Sequence, residues 1–234
     1  MGLNFECEKC KGTGLIWGTS ESNGLIYENV RDCDCMLPAK IDRMLKKSGV
    51  DYEKYAEMSL GNFLVDTDEA TKMRNIATAF LETRNSVGLG FFGKSGTGKT
   101  HICIAVCQEI TRQTVMPHRY FSYRGEIQKL KSVMYDKEAY ERKIAELSRV
   151  KVLYVDDLYK LAKNGDKFPM QDLQIMYSII NNRYINKRAT LFSSEYSLKE
   201  ITDIDEATGS RIYDMCYPNI CKCEGENRRL RRKH

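Results

Sequence analysis

The run Gly93-Lys94-Ser95-Gly96-Thr97-Gly98-Lys99-Thr100, followed by His101, satisfies the spacing G-x-x-x-x-G-K-[ST]. Glycines at those places let successive backbone N–H groups point at one anion, and a helix beginning there adds the positive end of its dipole. Lys99 can reach the β and γ phosphates of a nucleotide, and Thr100 offers its hydroxyl to magnesium. A metal-bound triphosphate also needs a carboxylate from a neighbouring strand. The run KVLYV (151 to 155) reads as a central parallel strand and ends on Asp156 and Asp157, on the side where such sheets bind ligands. Asp156 is read as completing the magnesium shell with Thr100, and Asp157 as polarising an attacking water.

A second cluster lies at the front. Cys7 and Cys10 form C-x-x-C, and Cys33 and Cys35 form C-x-C. Thiolates at these spacings converge on one tetrahedral zinc, and Gly12 and Gly14 permit the tight turn such a knuckle needs. Between the pairs, GLIW (14 to 17) and GLIY (24 to 27) flank TSESN, which predicts a hairpin. Residues 1 to 35 hold three Lys or Arg against six Asp or Glu, so the module is a poor phosphate binder and reads as gripping protein. Trp17 and Tyr27 either anchor that partner or fill the module's own small core. The other five of the nine cysteines are assigned no metal: Cys103 and Cys107 share a helix face, Cys221 and Cys223 a strand face, and Cys216 joins neither.

The elements that must position these groups follow from periodicity. Residues 1–36 form the cysteine module, 37–85 a charged helical linker, and 86–234 a domain in which strands and helices alternate. Strands are expected at 88–92, 118–123, 151–155, 189–193 and, more weakly, 219–223. Helices are expected at 99–113, at 125–148 with a break near Tyr135, and at 170–186. That alternation implies an α/β fold with a mostly parallel five-stranded sheet between helices. The net charge of +5 is localised: without Arg228, Arg229, Arg231, Arg232 and Lys233, 32 Lys and Arg face 32 Asp and Glu. Such a tail either contacts a polyanion such as nucleic acid or is a solvated terminus. No apolar run approaches the roughly 20 residues of a membrane span. The start has neither a signal-peptide pattern nor, with Glu6 in place of Ser or Thr, a myristoylation signal, and the chain reads as cytoplasmic.

Taken in order, GKSGTGKTH, YVDDL, LFSSEYSLKEI and EATGSRIYDM resemble the AAA+ phosphate-loop ATPases, and more narrowly the DnaC/DnaI-type helicase loaders, phage versions included, and the related IstB-type transposition ATPases. The resemblance covers about residues 5 to 230. It implies ATP and magnesium as cofactors, while zinc at the front module rests on the cysteine spacing. The partners it implies are a replicative hexameric helicase and single-stranded DNA, with no membrane, and the active form would be a homo-oligomer. The end of the fourth strand is where relatives carry an Asn that meets the γ phosphate. This chain has Glu195 there, which leaves Ser194 as the polar substitute. Arg211 matches an arginine that reaches a neighbouring subunit's nucleotide, the alternative being a salt bridge to Asp214. Arg229 matches an arginine that closes the domain, the alternative being one more basic residue of the tail. An IstB-like transposition helper, and a zinc-containing nucleic-acid binder with an idle ATPase, stand as rival functions.

Overall fold

The computed structural model describes residues 7–83, 86–160 and 168–230. Strands β1 (Leu15–Ser22) and β2 (Leu25–Asp32) pair antiparallel around Asn23-Gly24, whose positive φ values close the predicted hairpin. Helix α1 (Leu37–Lys46) follows, then the single turn α2 (Tyr52–Tyr55) and the long α3 (Asp68–Thr83).

The remaining chain alternates: β3 (Gly88–Gly93), α4 (Lys99–Thr114), β4 (His118–Ser122), α5 (Tyr123–Lys131), α6 (Lys137–Arg149), β5 (Val152–Asp156), α7 (Met170–Ile185), β6 (Ala189–Ser194), α8 (Leu198–Ile204), α9 (Glu206–Cys216) and β7 (Ile220–Cys223). The expected helix over 125–148 does break near Tyr135, where Asp136 restarts α6 by accepting the N–H of Ala139. Strands β3 to β7 form one sheet in the order β4-β5-β6-β3-β7, every pairing parallel. Strands β3 and β5, central in pairing and in burial, are the ones that carry the phosphate loop and the aspartates.

The pleat divides the core. Phe92, Leu153, Val155 and Phe192 face α5 to α9, whereas Leu89, Phe91, Tyr154 and Leu191 face α3 and α4. The segment read from sequence as a helical linker belongs to this second layer: Phe63, Ala70, Met73, Ala77 and Phe80 are buried in it. This part of the segment therefore packs with the sheet, whereas most of residues 37–62 are exposed or half-buried. All five cysteines assigned no metal are buried, Cys103 and Cys107 on the core face of α4.

Arg183 is fully buried, and among the described residues no carboxylate pairs with it. Its guanidinium donates to the carbonyls of Leu147, Val150 and Ala189 and to Thr190 Oγ1, tying the end of α6 to the start of β6. Among the described residues no helix is long and apolar enough to cross a membrane.

Candidate functional site: a phosphate loop and a four-cysteine cluster

The loop between β3 and α4 borders a cavity of about 700 Å³. Gly93 and Gly98 hold φ values of 124° and 102°. A Cβ at Gly93 would stand 2.2 Å from the carbonyl oxygen of Cys223, so the tight departure from β3 admits no other residue. The Lys94 N–H donates to that same carbonyl, and the Arg228 N–H donates to Gly96 O, pinning the loop from the C-terminal side. Thr97 is buried, its hydroxyl donating to Lys94 O. The Lys99 ammonium is buried and donates to the carbonyls of Gly93 (2.6 Å) and Lys94 (2.5 Å); burial holds its pKa below the usual lysine value.

Asp156 collects four hydroxyls. Thr100 donates to Oδ1 at 3.2 Å, Tyr154 and Ser193 to the same oxygen at 2.5 Å each, and Tyr120 to Oδ2 at 2.8 Å. The loop threonine and the strand aspartate predicted to share a metal are thus in contact. Asp157 lies on the cavity wall with φ 55°; burial, then the adjacent Asp156, pushes its carboxyl up.

The sequence reading of Ser194 is corrected here. Its side chain is wholly buried on the other face of β6, where its hydroxyl donates to Leu158 O and accepts the Tyr196 N–H. Ser193, one residue earlier, is the hydroxyl on the Asp156 side. Glu195 does reach the cavity, bonded to Lys160 at 2.7 Å and to Ser95.

The other predicted residues divide between the cavity and elsewhere. His101 lines the cavity, its Nε2 3.1 Å from both Ser59 O and Asn62 Oδ1, and burial lowers its pKa. Arg229 also lines the cavity. Its neighbour Arg228 is the anchored one, paired with Asp66 at 3.1 Å, donating to Leu64 O and lying over the Phe63 ring. Arg211 stands apart from the cavity, on α9. It donates to Asn181 on α7 and to Ala207 O and lies over Tyr177, while Asp214 accepts from Tyr184, so the partner weighed for Arg211 is engaged elsewhere. Arg231, Arg232 and Lys233 fall outside the described residues.

Sequence reasoning missed Tyr55, Phe63, Tyr120 and Lys160 in the cavity wall. Lys160 had a faint signal, a cation three residues after Asp157. Phe63 had none: it is distant in sequence and only packing brings it beneath Gly98.

At the front, the four sulfurs of Cys7, Cys10, Cys33 and Cys35 lie within 4.8 Å of one another. Cys7 and Cys33 are 3.7 Å apart and Cys10 and Cys35 3.6 Å. Four thiolates at about 2.3 Å from a tetrahedral zinc stand about 3.8 Å apart, so the cluster fits that ion. Burial pushes the Cys10 thiol up, but the Gly14 N–H and the Cys35 and Cys7 thiols outweigh it and bring it down to about 7. On the hairpin, Trp17 is 71% and Tyr27 50% exposed, so neither fills a core. The register sets them on opposite faces, Trp17 beside Val30 and Tyr27 beside Ser20.

A parallel sheet in this order, with a phosphate loop leaving one central strand and an aspartate pair at the end of another, defines an AAA+ phosphate-loop fold. Residues 40–234 match the family described as IstB-like ATP binding protein, and the chain belongs to that family. It is 31% identical to YqaM of Bacillus subtilis (strain 168) over 86% of this chain and 65% of that protein's length. It is 29% identical to XkdC, a protein of the phage-like element PBSX of the same organism, over 91% of this chain and 80% of the relative. A crystal structure of the DnaC helicase loader shares the fold with a TM-score of 0.62, at 22% identity, over 74% of this chain and 99% of that one.

Proposed function

We propose that this chain is an ATP-hydrolysing loader that places a replicative hexameric helicase on single-stranded DNA in phage-type replication, working in the cytoplasm. The observation that carries this reading is the joining of two sites in one chain. An AAA+ nucleotide cavity is linked to a four-cysteine hairpin that precedes the family match and exposes Leu15, Trp17, Ile26 and Val30 on one acidic-edged face. A face of that composition suits a protein partner.

In this reading the loop amides and Lys99 hold the phosphates of ATP, and Thr100 and Asp156 hold magnesium. The ion would neutralise charge on the phosphates as the bond to the γ phosphoryl group breaks. Asp157 orients the water, Arg229 closes over the nucleotide, and Arg211, remote from its own cavity, serves the cavity of a neighbouring copy. Cys7, Cys10, Cys33 and Cys35 hold zinc, which keeps the hairpin in shape for docking on the helicase.

Steady-state ATP turnover with and without single-stranded DNA tests the chemistry. Lys99→Ala should abolish or severely weaken nucleotide binding, whereas Asp157→Asn should bind and not turn over. Unchanged hydrolysis in either variant refutes the assignment. Loading is tested with purified hexameric helicase and circular single-stranded DNA, scored as ATP-dependent deposition. The family match itself favours a second reading, a transposition helper, which predicts binding to a transposase in place of the helicase. An idle ATPase on a zinc-containing nucleic-acid binder predicts DNA binding with no turnover in the unaltered chain.

A further inference from the structure

The cavity holds a cation that the phosphate-loop motif does not account for. Lys160 lies on its wall, and its ammonium sits between two carboxylates, 3.1 Å from Asp157 Oδ2 and 2.7 Å from Glu195 Oε1. Its direction is built in. Asp157 and Tyr159 both adopt positive φ, 55° and 61°, a conformation that costs a non-glycine residue energy and so needs support from its surroundings. That support is visible: Leu158 donates its N–H to Ser193 O at 2.9 Å and accepts Ser194 Oγ, while the Lys160 N–H closes the turn on Asp157 O at 3.0 Å. The turn is clamped to the end of β6 and returns Lys160 to the cavity beside the residue it follows by three.

Charge explains why such a clamp is useful. Glu195 bonds Ser95 of the phosphate loop, so an anionic group borders the space a polyphosphate would enter. Unpaired, it would repel the ligand. Paired with Lys160 it becomes a holder for a cation. Asp157, meanwhile, is occupied by the same ammonium and cannot accept a water's proton freely while that pair is closed.

We infer that Lys160 is the residue that distinguishes a triphosphate from a diphosphate here: held by Glu195, it leaves Asp157 for the terminal phosphate and so frees Asp157 for water. The inference rests on the proposed nucleotide site and names a further residue of it. An ammonium moving from one carboxylate to a phosphate oxygen keeps a charge-assisted bond in both positions, so the exchange has a low cost and responds to the extra anion. No bond other than hydrogen bonds changes in this step.

Equilibrium binding of ADP and of the non-hydrolysable analogue β,γ-methylene-ATP, each with magnesium, tests it on the full chain. The proteins are the unaltered chain, Lys160→Gln, Lys160→Arg and Lys99→Ala, with thermal unfolding to verify folding. Lys160→Gln should lose about tenfold or more in affinity for the triphosphate analogue while ADP affinity stays within about twofold. Its ATP turnover should fall by about 10²-fold. Lys160→Arg should keep most of the preference for the triphosphate, which a merely structural ion pair would not require. If Lys160→Gln keeps the unaltered ratio of the two affinities, or loses both equally, the inference is wrong. The Lys99→Ala arm separates the two levels: nucleotide binding that depends on Lys99 sustains the phosphate-loop reading whatever Lys160 does, and binding that ignores Lys99 removes both.

Discussion

Chelation should unfold the front module and leave the phosphate-loop domain intact. Of residues 7–36, only Cys10, Gly12, Gly14 and Cys33 are buried, and β1 and β2 are exposed along nearly their whole length. Burying the two cysteine side chains supplies about 2–4 kcal/mol at most. Ordering each residue of the hairpin costs about 1–2 kcal/mol, and a two-stranded hairpin alone is marginal in water. A structural zinc supplies about 10–16 kcal/mol, so a zinc held by the four cysteines would decide whether the module is folded. Elemental analysis should find one zinc per chain. Amide exchange over Leu15–Asp32 should accelerate by about 10²-fold or more on chelation, with β3 and β5 unchanged. Cys10→Ser should have the same effect and should abolish helicase capture while sparing ATP turnover. Sub-stoichiometric metal, or hairpin protection that survives chelation, would refute the reasoning.

Three further outcomes are expected. Deleting Leu230 to His234 should weaken single-stranded DNA binding and flatten its salt dependence, because each lost phosphate contact removes a released counterion; an unaltered salt titration identifies the tail as a solvated terminus. Arg211→Ala should bind ATP but turn it over about 10³-fold more slowly, and mixing it with Lys99→Ala should restore activity if the arginine acts on a neighbour; two folded, associating variants that restore none would exclude it. His118 is buried, with Nδ1 on Thr111 and Nε2 without a partner among the described residues, and burial lowers its pKa from 6.5 to about 4. The native chain therefore resists a proton the unfolded chain accepts: the stability is complete above pH 6.5 and is lost as pH falls towards 4, by about 2 kcal/mol at pH 5. Urea unfolding at pH 7.5 and pH 5 measures this, and His118→Gln should remove that part of the slope.

What the chain reveals before folding is whatever chemistry is local. The phosphate loop needs eight consecutive residues, the aspartate pair a strand and its end, and each cysteine pair only its own spacing, so their backbone geometry is dictated nearby. The strands were legible because a strand buried on both faces has few polar residues to spare, as Val152–Asp156 shows. Tertiary structure decided what depends on direction and on distant contacts. Ser193 and Ser194 are adjacent and chemically alike, yet the pleat sends one to Asp156 and the other to Leu158, and one residue of register separates those fates. The charged segment 37–85 reads as a connector until α3 is seen buried against β3 and β7, because an amphipathic helix looks the same on a surface as over a sheet. Lys160 is one lysine among many until two left-handed residues turn it between Asp157 and Glu195, 35 residues apart from the latter in sequence; such a meeting exists only after β5 and β6 have paired.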